Sequence, residues 1–352
     1  MIRTDTPHRG GYRWPAEWEK HEATWLAWPH ERSDWPGKFE PVPWVYGDIV
    51  RHLSRVERVA ILVANESVEE RAAKICEKSG AVMPQVTFYR CPTDRSWTRD
   101  TAPIFVRTET GKIALTNWRF NGWAKYENST TDDAVPDFIA RKLKLPQWRP
   151  THQSRRIVLE GGAVDSNGRG TLLTTEECLL SNIQERNPGF TREDYERIFL
   201  RYFSVTNVLW LKNGIAGDDT HGHVDDLARF VNPTTVVVAS EDDKSDANYD
   251  VLRENLGILR LMTDQRGRPL NVVKLPMPRP IFFDGQRLPA SYANFYIANK
   301  LVLVPTFNDP ADRVALHTLG KLFPEREVRG IHCLDLVLGL GTLHCMTQQQ
   351  PA

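Results

Sequence analysis

Val59-Ala60-Ile61-Leu62-Val63, followed after a short break by the amphipathic stretch Ser67 to Ser79, decides how this chain is read. A short apolar run rich in β-branched residues and bounded by polar ones fits a buried strand, and the stretch after it fits a helix with one apolar face. Similar runs recur at Ile104-Phe105-Val106, Gly170 to Leu173, Val205 to Leu211, Thr234 to Ala239 and Lys300 to Val304. Helical patterns lie between them at Thr191 to Tyr202 and Pro310 to Leu322, the latter opened by Pro310 after Asn308-Asp309. Repeated strand–helix alternation predicts an α/β class. The acidic segment Glu241 to Asp250 reads as a solvated loop entering a helix. No low-complexity linker or charge block interrupts the pattern, so one domain over residues 1–352 is expected.

Lysine plus arginine and aspartate plus glutamate balance at 45 each, so no global basic field attracts nucleic acid. No apolar run approaches the roughly 20 residues that span a bilayer, and the first residues lack the apolar core of a secretory signal. A cytoplasmic protein is expected. Cys76, Cys91, Cys178, Cys333 and Cys345 are widely spaced, with no CxxC pair, which argues against a zinc knuckle or a redox dithiol. Trp14, Trp18, Trp25, Trp28, Trp35 and Trp44 crowd the start of the chain, most simply as packing anchors. No Gly-rich phosphate loop follows a strand.

Four segments place ionisable residues beside strand ends. In Ser96-Trp97-Thr98-Arg99-Asp100, the charged pair is either internal or part of a site. Leu159-Glu160-Gly161-Gly162 puts a carboxylate before two residues that allow close backbone approach. Gly217 to Asp226 concentrates Asp218, Asp219, His221, His223, Asp225 and Asp226, a density hard to explain by packing. Here His221, His223 and Asp225 have the alternating spacing of a zinc site, or His223 and Asp225 face a substrate as acid/base and cation clamp. The fourth segment is the tail Gly339-Leu340-Gly341-Thr342-Leu343-His344-Cys345-Met346-Thr347. A chain end normally frays; a thiol and two glycines there suggest a tail tied into a site. Zinc would leave Cys345 unexplained. Several carboxylates around a thiol are unfavourable on their own, because they repel the thiolate. They make sense if the ligand is a planar cation such as a guanidinium, whose N–H groups match carboxylates in pairs.

These segments, with Pro15-Ala16-Glu17-Trp18, Trp25 to Pro29, Trp118 to Trp123, Ala290 to Phe295 and the terminal His344 to Gln349, resemble the agmatine deiminase branch of the guanidino-modifying (amidinotransferase) superfamily. Its members include the Porphyromonas-type peptidyl-arginine deiminases. The resemblance covers nearly the whole chain. It implies a five-bladed α/β propeller of ββαβ-type units around a polar channel, and a place in putrescine and polyamine metabolism. It also implies Cys345 as nucleophile, His223 as general acid/base, Asp100 and Asp225 as guanidinium clamps, and Glu160 as orienting group. Trp97 would wall the slot, and Asp219 would lie near the substrate's distal amine. The implied reaction needs no cofactor or metal: agmatine gives N-carbamoylputrescine and ammonia through a covalent S-alkylthiouronium. The implied partner is a small cationic guanidino substrate, with a homodimer the assembly considered. Alternatives kept open are a peptidyl-arginine or free-arginine deiminase, an amidinotransferase, and a zinc hydrolase using His221, His223 and Asp225. Leu340 and Thr342 stand where relatives commonly carry Gly and Asn, and His221 where they often carry Asp.

Overall fold

In the computed structural model, which describes residues 1–352, the Val59 run lies in the strand Arg58–Val63, buried at every position after Arg58. Burial on both faces explains its uninterrupted apolar reading. It sits inside a four-stranded sheet, with His21–Ala27 on one side and Val86–Arg90 on the other, both parallel to it. The helices Val42–Leu53 and Glu66–Lys78 make the two crossovers that parallel pairing requires. The last strand, Gln348–Pro351, closes the other edge antiparallel to His21–Ala27, so the chain end is hydrogen-bonded into the sheet.

The same plan recurs. Five sheets of three or four strands each join an antiparallel pair to a parallel pair through a helix. In one, Asp165–Ser166 and Thr171–Thr175 run antiparallel, and Asn207–Leu211 returns parallel after the helix Arg192–Phe203. In another, Ala228–Asn232, Thr235–Ser240 and Asn271–Pro276 do so around the helix Tyr249–Leu261. Tyr296–Ala298, Leu301–Thr306 and Glu327–His332 repeat it around Pro310–Leu322. The remaining sheet orders Tyr12–Arg13, Ile104–Thr108, Ile113–Thr116 and Gln147–Trp148. The architecture is mixed α/β, as the alternation predicts.

Differences from the sequence reading are local. The helix predicted from Thr191 starts at Arg192, because Thr191 is its cap, in a reciprocal capping box with Asp194. Val205 and Thr206 precede their strand rather than opening it. Among the early tryptophans, Trp14, Trp25, Trp28 and Trp35 are buried, but Trp44 is exposed on its helix and anchors nothing. No helix is long and apolar enough to cross a membrane.

A buried ionic knot ties the sheets together. The Arg229 guanidinium donates to Glu17 at 2.8 Å and Asp165 at 3.0 Å, and to the carbonyl of Phe295, whose ring it also covers. Removing one member of such a set leaves the others charged, buried and unpaired. Arg229→Met should therefore lower stability by about 3–5 kcal/mol, read as a shifted denaturation midpoint. An unshifted midpoint would show that the knot is not structural.

Candidate active site

Asp100 and Cys345 line one cavity, and His223, Asp225 and Glu160 cluster buried beside them, although all come from separate parts of the chain. Asp100 arrives on the short helix Thr98–Thr101, held against the tail: Arg99 N–H donates to the Cys345 carbonyl, and Thr98 Oγ1 to that of Met346. Arg99 and Asp100 are not paired with each other. Arg99 turns away, to the His344 carbonyl, Gln349 and Glu17, while Asp100 faces the cavity. Neighbouring residues on a helical turn point about 100° apart, which separates the two roles.

Glu160, His223 and Asp225 are fully or almost fully buried. The His223 ring lies between the acids, with Nδ1 3.9 Å from Asp100 Oδ2 and 4.0 Å from Asp225 Oδ1, and Nε2 3.9 Å from Glu160 Oε2. Gly162 makes this convergence possible. Its N–H donates to Asp100 Oδ1 at 2.9 Å, and a Cβ there would fall 2.5 Å from His223 Nδ1. Cys345 Sγ accepts from Asn294 Nδ2 at 3.0 Å and lies 3.6 Å from Asp225 Oδ2. Trp97 lines the same cavity and packs against Trp35.

Burial and mutual charge set the protonation pattern. Burial pushes Asp100 up to about 6; His223 works against the rise, and Asp225 and Glu160 add to it. Burial alone would raise Glu160, but the Arg186 guanidinium, 3.0 Å from it, brings it down to about 2. Desolvation opposes charge on His223, yet Asp100 and its other neighbours raise it well above the ordinary imidazole value. The Cys345 thiol is pushed well above 9 by burial, then by Asp225, Asp226 and Asp100.

Three buried polar atoms, Glu160 Oε2, His223 Nε2 and Asp225 Oδ1, have no hydrogen-bond partner. Two of them, Glu160 Oε2 and His223 Nε2, face each other at 3.9 Å, and Asp225 Oδ1 lies 4.0 Å from His223 Nδ1, so the imidazole is held among acids without a direct bond to any of them.

Residues to which the sequence reading gave no role complete the site. Trp123 Nε1 donates to Asp100 Oδ2 at 2.8 Å. His344 spans two carboxylates, 2.7 Å from Asp225 Oδ2 and 2.8 Å from Glu17 Oε2. Asn294 Oδ1 accepts from Thr342 Oγ1 and His344 N–H, which holds the tail in place. All of these lie in segments noticed for their pattern. Arg186 and Cys178, the latter beside Glu160 and His223, carry no signal in the sequence.

The His221, His223 and Asp225 donor set expected for zinc does not assemble. His221 has a left-handed backbone (φ 63°) and its ring faces Ser181 and Glu177, away from the face that His223 and Asp225 share. Metal-compatible donors do cluster, as Glu160, Cys178 and His223 and as Asp225, Asp226 and Cys345, but neither set includes His221. Leu340 lines the cavity at φ 67°. Asp219 also lines it, but its carboxylate is taken by Lys125 Nζ and by Tyr126 Oη at 2.8 Å.

A thiol, an imidazole and three buried carboxylates thus gather at one candidate site on a mixed α/β scaffold. The sequence model of the Porphyromonas-type peptidyl-arginine deiminases matches residues 13–351, and the chain belongs to that family. It is 35% identical to an agmatine deiminase of Pseudomonas aeruginosa, over 99% of this chain and 98% of that one. The structure superposes on an agmatine deiminase of Enterococcus faecalis with a TM-score of 0.90 at 32% identity, covering 99% and 98% of the two chains. It also superposes on a cysteine-to-serine agmatine deiminase of C. jejuni with substrate bound, with a TM-score of 0.85 at 28% identity, covering 97% and 96%.

Proposed function

We propose that this chain is an agmatine deiminase, one catalytic domain over residues 1–352 whose five similar sheets are the blades of an α/β propeller around the site. The carrying observation is one buried cluster: the His223 ring lies within 4.0 Å of Asp100, Asp225 and Glu160, and Asp225 Oδ2 lies 3.6 Å from Cys345 Sγ. A guanidinium supplies N–H donors in one plane, and its charge offsets the repulsion among the acids.

In this reading Asp100 and Asp225 clamp the guanidinium, Glu160 orients it and Trp97 walls the slot. Asp219 faces the distal end. The entering cation favours the Cys345 thiolate, whose proton leaves by way of Asp225 Oδ2, 3.6 Å away, to solvent, and the thiolate adds to the guanidinium carbon. The tetrahedral adduct collapses with cleavage of a C–N bond, and His223 gives its proton to the departing nitrogen, releasing ammonia. An S-alkylthiouronium remains. Water, deprotonated by His223, adds to the same carbon; the C–S bond breaks, freeing the ureido product and returning the thiolate. Holding the imidazole among carboxylates keeps it protonated for the first step, and loss of ammonia frees it to act as base in the second.

Agmatine is favoured over arginine by the cavity wall. Arg95, the cation lining it, is already paired with Asp34 and stacked on Tyr126, so it offers no free partner for a substrate carboxylate. The test is a panel of agmatine, arginine and a C-terminal-arginine peptide, scored for ammonia and ureido product. Turnover of arginine alone, or a new guanidino compound in place of a ureide, would sink this reading.

The pH dependence follows from Asp100, which lies near 6 in the empty site. Below that value it takes up a proton and loses its grip on the cation. Since kcat/KM reports the free enzyme, it should drop about tenfold per pH unit below 6. A flat profile there would remove Asp100 as a clamp.

A further inference from the structure

One turn connects the deep end of the cavity to its mouth. Trp123 and Ala124 both have left-handed backbone conformations, with φ of 57° and 54°. They send the Trp123 indole inward to Asp100 and the next two side chains outward to Asp219. Gln184 Nε2 donates to the carbonyls of Trp123 and Asp219, both at 3.1 Å, which pins the turn to the segment carrying Asp219.

With those backbones tied together, the mobile part of the contact is the Lys125 side chain. Two acids stand at the mouth, and each already holds a cation. Arg95 and Asp34 have side chains only 11% and 3% exposed, and the guanidinium is stacked 4.3 Å from the Tyr126 ring, so that pair is fixed. Lys125 is 42% exposed on a flexible stem, while its partner Asp219 is 13% exposed and takes a second hydrogen bond from Tyr126. The acid is anchored; its cation is not.

We propose that Lys125 is an internal stand-in for the substrate's distal ammonium: it occupies Asp219 in the empty enzyme and is displaced when a guanidine carrying a second, terminal cation enters. The inference rests on the reading of this cavity as a guanidine site and adds a specificity device to it. An exposed lysine–carboxylate pair is a weak contact that water readily replaces, so its displacement costs little. A substrate ammonium meets an acid already oriented by Tyr126. A substrate with an apolar end gains nothing from Asp219 and leaves the pair in place. Lys125 thereby lowers the affinity for diamine-like guanidines slightly and keeps the half-buried Asp219 neutralised between turnovers.

The test measures binding on the Cys345→Ser background by calorimetry, so that no turnover is needed. The ligands are agmatine and pentylguanidine, in which a methyl replaces the ammonium. Lys125→Met keeps the stem and removes the charge. It should tighten agmatine about two- to fivefold and leave pentylguanidine unchanged. Asp219→Asn should weaken agmatine and abolish the effect of Lys125→Met in the double variant. Weaker agmatine binding in Lys125→Met, an equal change for both ligands, or no preference for agmatine in any variant overturns the proposal. Turnover of agmatine by the unmodified chain is scored separately. If it fails while the binding pattern holds, the reaction assignment is lost and the role of Lys125 stands.

Discussion

Cys345→Ala should abolish ammonia release from agmatine, a loss of roughly 10⁴-fold or more, because no other group can form the covalent bond to the guanidinium carbon. The other thiols give no rescue. Cys76, Cys91 and Cys333 are packed away from the cavity, and Cys178 lies behind His223 beside Glu160. Removing Sγ costs the fold little, since the tail is held by backbone and side-chain contacts that do not involve it. Thr98 and Arg99 bond its carbonyls, Asn294 orders Thr342 and His344, and Gln348–Pro351 is a sheet strand. The expected result is a protein with an unchanged melting midpoint that binds agmatine and does not consume it. Retained turnover would sink the covalent mechanism whatever the stability.

Gly162→Ala should cost about a hundredfold or more in kcat/KM with the chain still folded, the second large effect. The added methyl meets His223 Nδ1 at 2.5 Å, Asp100 Oδ1 at 3.0 Å and Asp225 Oδ2 at 3.1 Å. None is the free end of a flexible side chain. Asp100 is held by Trp123 and the Gly162 N–H, and Asp225 by His344. The methyl therefore spreads the acid ring and takes volume from the ligand's place. Secondary structure by circular dichroism should be kept, while agmatine no longer protects against heat. Near-normal kcat/KM would mean that the ring yields freely and that its preorganisation contributes little.

Much of this site was legible one residue at a time. Asp100, Glu160, His223 and Asp225 stand out because ionisable groups beside apolar strands cost free energy unless paired or used, and the structure brings all four into one cluster with Cys345. What could not be read was their support. His344 looks like a neighbour of the thiol, yet it bridges Asp225 to the ionic knot at Glu17. Arg186 lies in a loop with no pattern and still sets the charge of Glu160. His221 has the right spacing for a metal ligand, but spacing predicts a shared face only in an extended segment, and a left-handed residue breaks that rule. Asp219, expected near the substrate's distal amine, is paired with Lys125 across 94 positions in space.

The sequence by itself determined the element types, because apolar period and β-branching act over a few residues, and it determined which side chains are chemically costly enough to need a purpose. Tertiary structure alone decided which oxygens of Glu160 and Asp225 are left without a partner, which cation pairs with Asp219, and how far the thiol sits from Asp225. Those facts depend on contacts between segments distant in the chain, where an ångström separates a satisfied hydrogen bond from a vacant one and no local pattern records the difference.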